Sequence, residues 1–146
     1  MSNVLTLNAG SSSLKFSIFS FANETPEALV RGQFEDIGGH TKFEAQLSHE
    51  EIQTFDSAAS NHLEAIHSLI NWISQVLPDV PISAVSHRVV HGGVDHIHPV
   101  EINDTVLNDL FKLTSLAPLH QPHNLNGIHA AQQFLTGIPQ IACFDT

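Results

Sequence analysis

The chain is poor in cysteine and in positive charge. Its one cysteine in 146 residues, Cys143, excludes an intrachain disulfide and fits a reducing compartment. Lysine and arginine together number 5 against 15 aspartates and glutamates, a formal charge of −10. Such a surface argues against nucleic acid or an anionic membrane as partner. No apolar run approaches the length needed to span a bilayer, and no basic-then-apolar leader precedes the first apolar stretch. There is no internal repeat and no low-complexity tract. These absences predict a soluble, cytoplasmic protein. What is present is ordinary globular composition, 42% hydrophobic, over one domain's length, residues 1–146. The few cations are Lys15, Arg31, Lys42, Arg88 and Lys112, and two of these five fall inside the motifs described below.

Strand patterns occupy 3–8, 13–21, 28–35, 41–47 and 51–55, with turn signals at Asn23–Pro26 and Gly38-Gly39. Leu63, Ile66, Leu69, Ile70, Ile73, Val76 and Leu77 recur at helical spacing from about Ser57 to Leu77, and Pro78 and Pro81 end that helix. Residues 82–90 read as a buried strand. Helices are expected at 102–114, capped by Asn103 or Asp104, and at about 124–135, stopped by Gly137 and Pro139. A last buried strand runs from Gln140 to Asp145. Strands, helix, strand, two helices and a strand make a mixed α/β domain, not a sandwich or a bundle. The sequence stops directly after a strand, where a covering helix would be expected.

Two apolar strands flank Asn8-Ala9-Gly10-Ser11-Ser12-Ser13-Leu14-Lys15. Gly10 can take positive φ, successive N–H groups of such a turn form an anion nest, and the serines and Lys15 add donors and charge. In extended chain Ser11, Ser13 and Lys15 share one face, while Leu14, Phe16 and Ile18 share the other. The run is not a Walker A loop, because Leu14 precedes the lysine and a strand follows it. A phosphate grip between two strands suggests the actin/Hsp70/sugar-kinase superfamily; an ordinary Gly/Ser hairpin turn is the alternative.

Ser86-His87-Arg88-Val89-Val90-His91-Gly92-Gly93 runs from a strand into a glycine turn. Arg88 near a strand's carboxyl end can hold a carboxylate or phosphate through two parallel bonds, with Val90 as an apolar wall on the same face. A surface ion pair would explain it equally well. In Leu116-Ala117-Pro118-Leu119-His120-Gln121-Pro122-His123-Asn124 the prolines stiffen a loop around His120, which is either a positioned imidazole or an exposed one. Asp145, at a strand's carboxyl end, can bind Mg²⁺ or cap a following helix. Eleven histidines invite a metal reading, with His87 and His91 on one strand face and His96 and His98 sharing another if extended. The chain, however, lacks an HExxH helix or a Cys/His zinc spacing.

These four segments, near 8–15, 86–93, 116–124 and 144–146, resemble in the same order the conserved segments of the acetate kinase family. Ser86 stands where that family usually has glycine, and Gln121 where it commonly has asparagine. The resemblance implies an actin/Hsp70/sugar-kinase-like (ribonuclease H-like) mixed sheet flanked by helices, one of two domains closing a cleft, the C-terminal domain lying beyond this chain. It implies reversible transfer of the ATP γ-phosphoryl group to acetate with Mg²⁺, in a homodimer. By the same resemblance Asn8, Gly10, Ser11, Ser13 and Lys15 form the phosphate loop and its metal-associated polar shell. Arg88 binds acetate and the moving phosphoryl group, Val90 and Leu119 line the methyl pocket, His120 stabilises transition-state charge, and Asp145 holds Mg²⁺ or aligns acetate. A non-catalytic phosphate- or nucleotide-binding domain and a propionate- or butyrate-type kinase remain as alternatives.

Overall fold

The computed structural model describes residues 2–90, 92–93, 98–119 and 121–144. Five strands, β1 (Asn3–Ala9), β2 (Leu14–Ser20), β3 (Glu27–Glu35), β4 (Lys42–Leu47) and β5 (Gln53–Asp56), form an antiparallel meander. Helix α1 (His62–Val76) then crosses over to β6 (Ala84–Val89), which lies parallel to β1. The short β7 (Val100–Glu101), α2 (Asp104–Lys112), a 3₁₀ turn at Thr114–Leu116 and α3 (Gln121–Phe134) lead to β8 (Gln140–Phe144). The eight-stranded sheet has the order β5-β4-β3-β2-β1-β6-β8-β7, with β8 parallel to β6 and antiparallel to β7. Hairpins join the antiparallel half; the parallel half needs helical crossovers.

Alternation decides which face is covered. Leu5, Leu7 and Ala9 of β1 are buried, while Val4, Thr6 and Asn8 are half-buried. Val85, His87 and Val89 of β6 are buried, while Ser86 is half-buried and Arg88 exposed. The covered face packs on α1 and on Ala130 and Ala131 of α3. At its β3–β4 end Phe16 stacks on Phe43 at 5.7 Å, and the single tryptophan, Trp72, meets Phe43 edge-on at 5.1 Å. Phe16 lies directly over Gly32, where any Cβ would run into its ring and the Glu44 carbonyl. A second apolar cluster, including Val89, Val106, Leu110, Leu125 and Ala142, joins β6 and β8 to α2 and α3.

The helices begin at side-chain caps. Asn61 Oδ1 accepts from Glu64 N at 2.8 Å, so α1 starts at His62 and not near Ser57. Glu64 reaches back to the Ser60 N–H at 2.8 Å, and these bonds to Ser60 hold its carboxyl below the usual value. Asn103 caps α2 through Val106 N at 2.9 Å. Helix α3 begins at Gln121, three residues earlier than the periodicity predicts, because Pro122 sits in its first turn, where a missing N–H costs nothing. Pro122 therefore starts a helix, whereas the sequence reading made it a loop stiffener. The two-residue β7 carries no sequence pattern of its own. Among the described residues no helix is long and apolar enough to cross a membrane.

Candidate functional site

The connection between β1 and β2 is a tight loop of residues 10–13, closed by the Ala9–Leu14 pair and by Gly10 N–H donating to Ser13 O at 2.9 Å. Gly10 is not among the positive-φ residues. A Cβ at Gly10 would lie 2.5 Å from Ser13 Oγ, so a larger residue there would require that hydroxyl to turn aside. The loop is held through its carbonyls. Ile37 N–H donates to Ser12 O at 2.9 Å, and His62 Nε2 lies 3.0 Å from Ser13 O. A carbonyl only accepts, so this bond places the His62 proton on Nε2. The N–H groups of Ser11, Ser12 and Ser13 have no partner among the described residues, and Ser11 and Ser12 are exposed. These three amides are donors available to a ligand.

Strand β2 begins only at Leu14, so the predicted alternation holds for Lys15 and not for Ser11 or Ser13. Lys15 is exposed and pairs across the ladder with half-buried Asn8. On β1's other side Thr6 registers with Ser86 of β6, and farther along β6 Arg88 registers with Cys143 of β8. Side chains on one face alternate in step across a ladder, so Asn8, Lys15, Arg88 and Cys143 occupy one face near the carboxyl ends of β1, β6 and β8. This is the face the helices leave open. The open face is polar further back too, with hydroxyl contacts between Thr6 and Ser17 and a 3.3 Å contact from Ser86 Oγ to Cys143 Sγ. Ser86 lies inside a strand, as expected.

Val90 follows β6 and is half-buried; its N–H donates to Asn124 Oδ1 at 3.0 Å. Leu119 is 74% exposed. His120 and Asp145, and with them His91 and His96, lie outside the described residues. His87 is no ligand: it points to the covered face, 2% exposed, with Nε2–H donating to Gln140 Oε1 at 2.6 Å. Burial pushes its pKa down to about 4, so it is neutral at pH 7. No group of three or more His, Cys, Asp or Glu side chains gathers to hold a metal among the described residues. The hard oxygen donors near the loop are the Asn8 carboxamide and the serine hydroxyls, which suit Mg²⁺ through water better than zinc.

Several side chains to which the sequence assigns no role bond to the backbone around this row of residues. Asn124, 4% exposed, also donates from Nδ2 to Ala9 O at 3.0 Å. His62 stacks on His123 with ring centroids 5.9 Å apart. Gln121, fully buried, donates to Leu110 O at 3.2 Å and so closes the end of α2. A cavity of about 300 Å³ lined by Phe34, Phe43, Phe55 and Trp72 lies between the meander and α1, away from this row of residues.

Residues 3–146 match the acetokinase family. The chain belongs to that family. It is 41% identical to the acetate kinase of Rhizobium meliloti over 150 residues, covering all of this chain and 38% of the relative. Its backbone matches the crystal structure of Porphyromonas gingivalis acetate kinase with a TM-score of 0.91 at 30% identity, over 100% of this chain and 38% of that one. A Francisella tularensis propionate kinase matches with a TM-score of 0.86 at 33% identity, over 99% and 37%. The fold is thus of the actin/Hsp70/sugar-kinase type, and the chain spans well under half the length of these relatives.

Proposed function

We propose that this chain supplies the phosphate-gripping wall of an acetate kinase, which transfers the ATP γ-phosphoryl group reversibly to acetate. The supporting observation is the shared open face of Lys15, Asn8 and Arg88 at the strand ends, beside a loop in which the Ser11, Ser12 and Ser13 N–H groups have no partner among the described residues. An acetate oxygen attacks γ-phosphorus in line, and the bond to the β–γ bridging oxygen breaks to release ADP. Acetate is already an anion at pH 7, so no general base is required. The protein's task is positioning and neutralising oxygen charge. The loop N–H groups, Ser11, Ser13 and Lys15 hold phosphate oxygens. The Arg88 guanidinium spans the acetate carboxylate and the phosphoryl group, and Val90 and Leu119 face the methyl group. In this reading His120 donates to the phosphoryl oxygens, and Asp145 with Asn8 forms the polar shell of Mg²⁺, which supplies charge neutralisation when bound. The remaining wall, the adenine pocket and the homodimer contact come from the C-terminal domain, and the enzyme works in the cytoplasm.

A propionate preference is the second reading, favoured by the propionate kinase among the structural neighbours. The test is a chimera in which this chain replaces the matching N-terminal stretch of the Rhizobium meliloti acetate kinase. Acetyl phosphate formation, trapped as hydroxamate, is expected from the chimera and not from the chain alone. A folded chimera with no turnover on acetate or propionate overturns the proposal.

A further inference from the structure

We infer that Asn124 is a positioning residue that sets the separation between the phosphate loop and the Arg88–Val90 segment. The inference deepens the acetate kinase reading and rests on it for its catalytic consequence. The β1–β6 ladder ends at the Leu7–His87 pair, yet β1 continues to Ala9 and β6 to Val89. Past the ladder, one carboxamide bridges the gap. Asn124 Nδ2–H donates to Ala9 O at 3.0 Å, and Asn124 Oδ1 accepts from Val90 N–H at 3.0 Å. Ala9 directly precedes Gly10 of the loop; Val90 is the second residue after Arg88. The two segments that would hold the two reactants are thus joined through a single rigid planar group.

The carboxamide is fixed as well as bonded. Asn124 is 4% exposed and sits in the first turn of α3. One turn later Gly127 lets α3 approach β1 so closely that a Cβ there would lie 3.2 Å from Ala9 Cβ. The loop's other end is anchored by the His62–Ser13 bond, and His62 in turn stacks on His123, beside Asn124 in sequence. Both segments therefore take their positions from the start of α3. A carboxamide is the group this geometry asks for, because the bridge needs a donor and an acceptor on adjacent atoms. In an in-line transfer a 1 Å misplacement of reactants can cost about 100-fold in rate.

The test compares the chain with Asn124→Asp and Asn124→Ala by ¹⁵N–¹H spectra and amide exchange. Asp keeps the acceptor for Val90 but turns a carboxylate oxygen toward the Ala9 carbonyl. The Gly10–Lys15 amides are expected to shift while the Val90 amide stays protected. Ala removes both bonds, so both groups are expected to move, with the Val30 and Phe34 amides unchanged. Asp is the near-isosteric variant that keeps the comparison usable if Ala does not fold. Unmoved loop amides in Asp, or uniform changes over the whole sheet, would overturn the positioning role. In the chimera, Asn124→Asp is expected to lower kcat by about 10- to 100-fold with KM for ATP and acetate within threefold; a raised KM at unchanged kcat also overturns it. If the unsubstituted chimera is inactive, the kinase reading fails, while the spectra still decide what Asn124 positions.

Discussion

Acidification is expected to destabilise this fold through one side chain, His87. Its ring is 2% exposed and neutral, and its Nε2–H is held by Gln140 Oε1 at 2.6 Å. Desolvation, only partly offset by that bond, lowers its pKa from 6.5 to about 4. Between those two values the unfolded chain binds a proton that the folded chain refuses. Stability therefore rises with pH in this window. The contribution is fully present above pH 6.5 and is lost as pH falls toward about 4. At about 1.4 kcal/mol per pH unit, the full loss is about 3 kcal/mol. No aspartate or glutamate is buried among the described residues. The assay is urea unfolding at half-unit steps from pH 7.5 to 4.5, on the chain and on His87→Gln, which keeps a donor for Gln140 and does not titrate. The stability difference between the two proteins should narrow by about 2–3 kcal/mol across the series. Parallel curves would refute the reasoning and imply that the ring is hydrated.

Arg88→Ala in the chimera is expected to lose about 10²- to 10³-fold in kcat, as for removal of one preorganised donor to developing charge, with an unchanged melting curve; near-normal turnover would remove Arg88 from the site. Val90→Ala should shift kcat/KM toward propionate or butyrate, by no more than about 1–3 kcal/mol for one methylene of space; an unmoved ratio across the acid series would put the acyl group elsewhere. Gly32→Ala should cost about 1–3 kcal/mol or more in urea unfolding, because its Cβ meets the Phe16 ring and the backbone of Glu44; an unchanged midpoint would mean that Phe16 can turn aside.

Every strand but β7 was legible, as were the three helices apart from the starts of α1 and α3, because apolar residues recur at regular spacing along them. The meander and β6 fall within a few residues of their expected limits. The turn at Gly10–Ser13 was expected between two strands and stands there, and Arg88 drew notice because cations are scarce. Asn124 and His62 were not legible. Each acts through bonds to backbone carbonyls or amides far away in sequence, and a side chain bonding to main chain leaves no pattern in its neighbours. The start of α3 was misplaced because proline reads as a breaker unless its position in the first turn is known. The positive φ expected at Gly10 is absent, because the loop turns without a left-handed residue there.

The site lies on a seam between two kinds of chain connection. The meander is built from near neighbours in sequence, whereas β1 finds β6 across some eighty residues, and Ala9 finds Asn124 across 115. Loop-closure entropy delays such distant encounters relative to hairpins. The Gly10–Ser13 loop belongs to the early half and the Arg88 segment to the late half. Their joining should therefore be among the last events of folding. Pulse-labelled exchange would read this directly as protection of β2–β4 amides ahead of the Val90 amide. A chain emerging from the ribosome would then own a folded hairpin long before it owned the Ala9–Asn124–Val90 bridge.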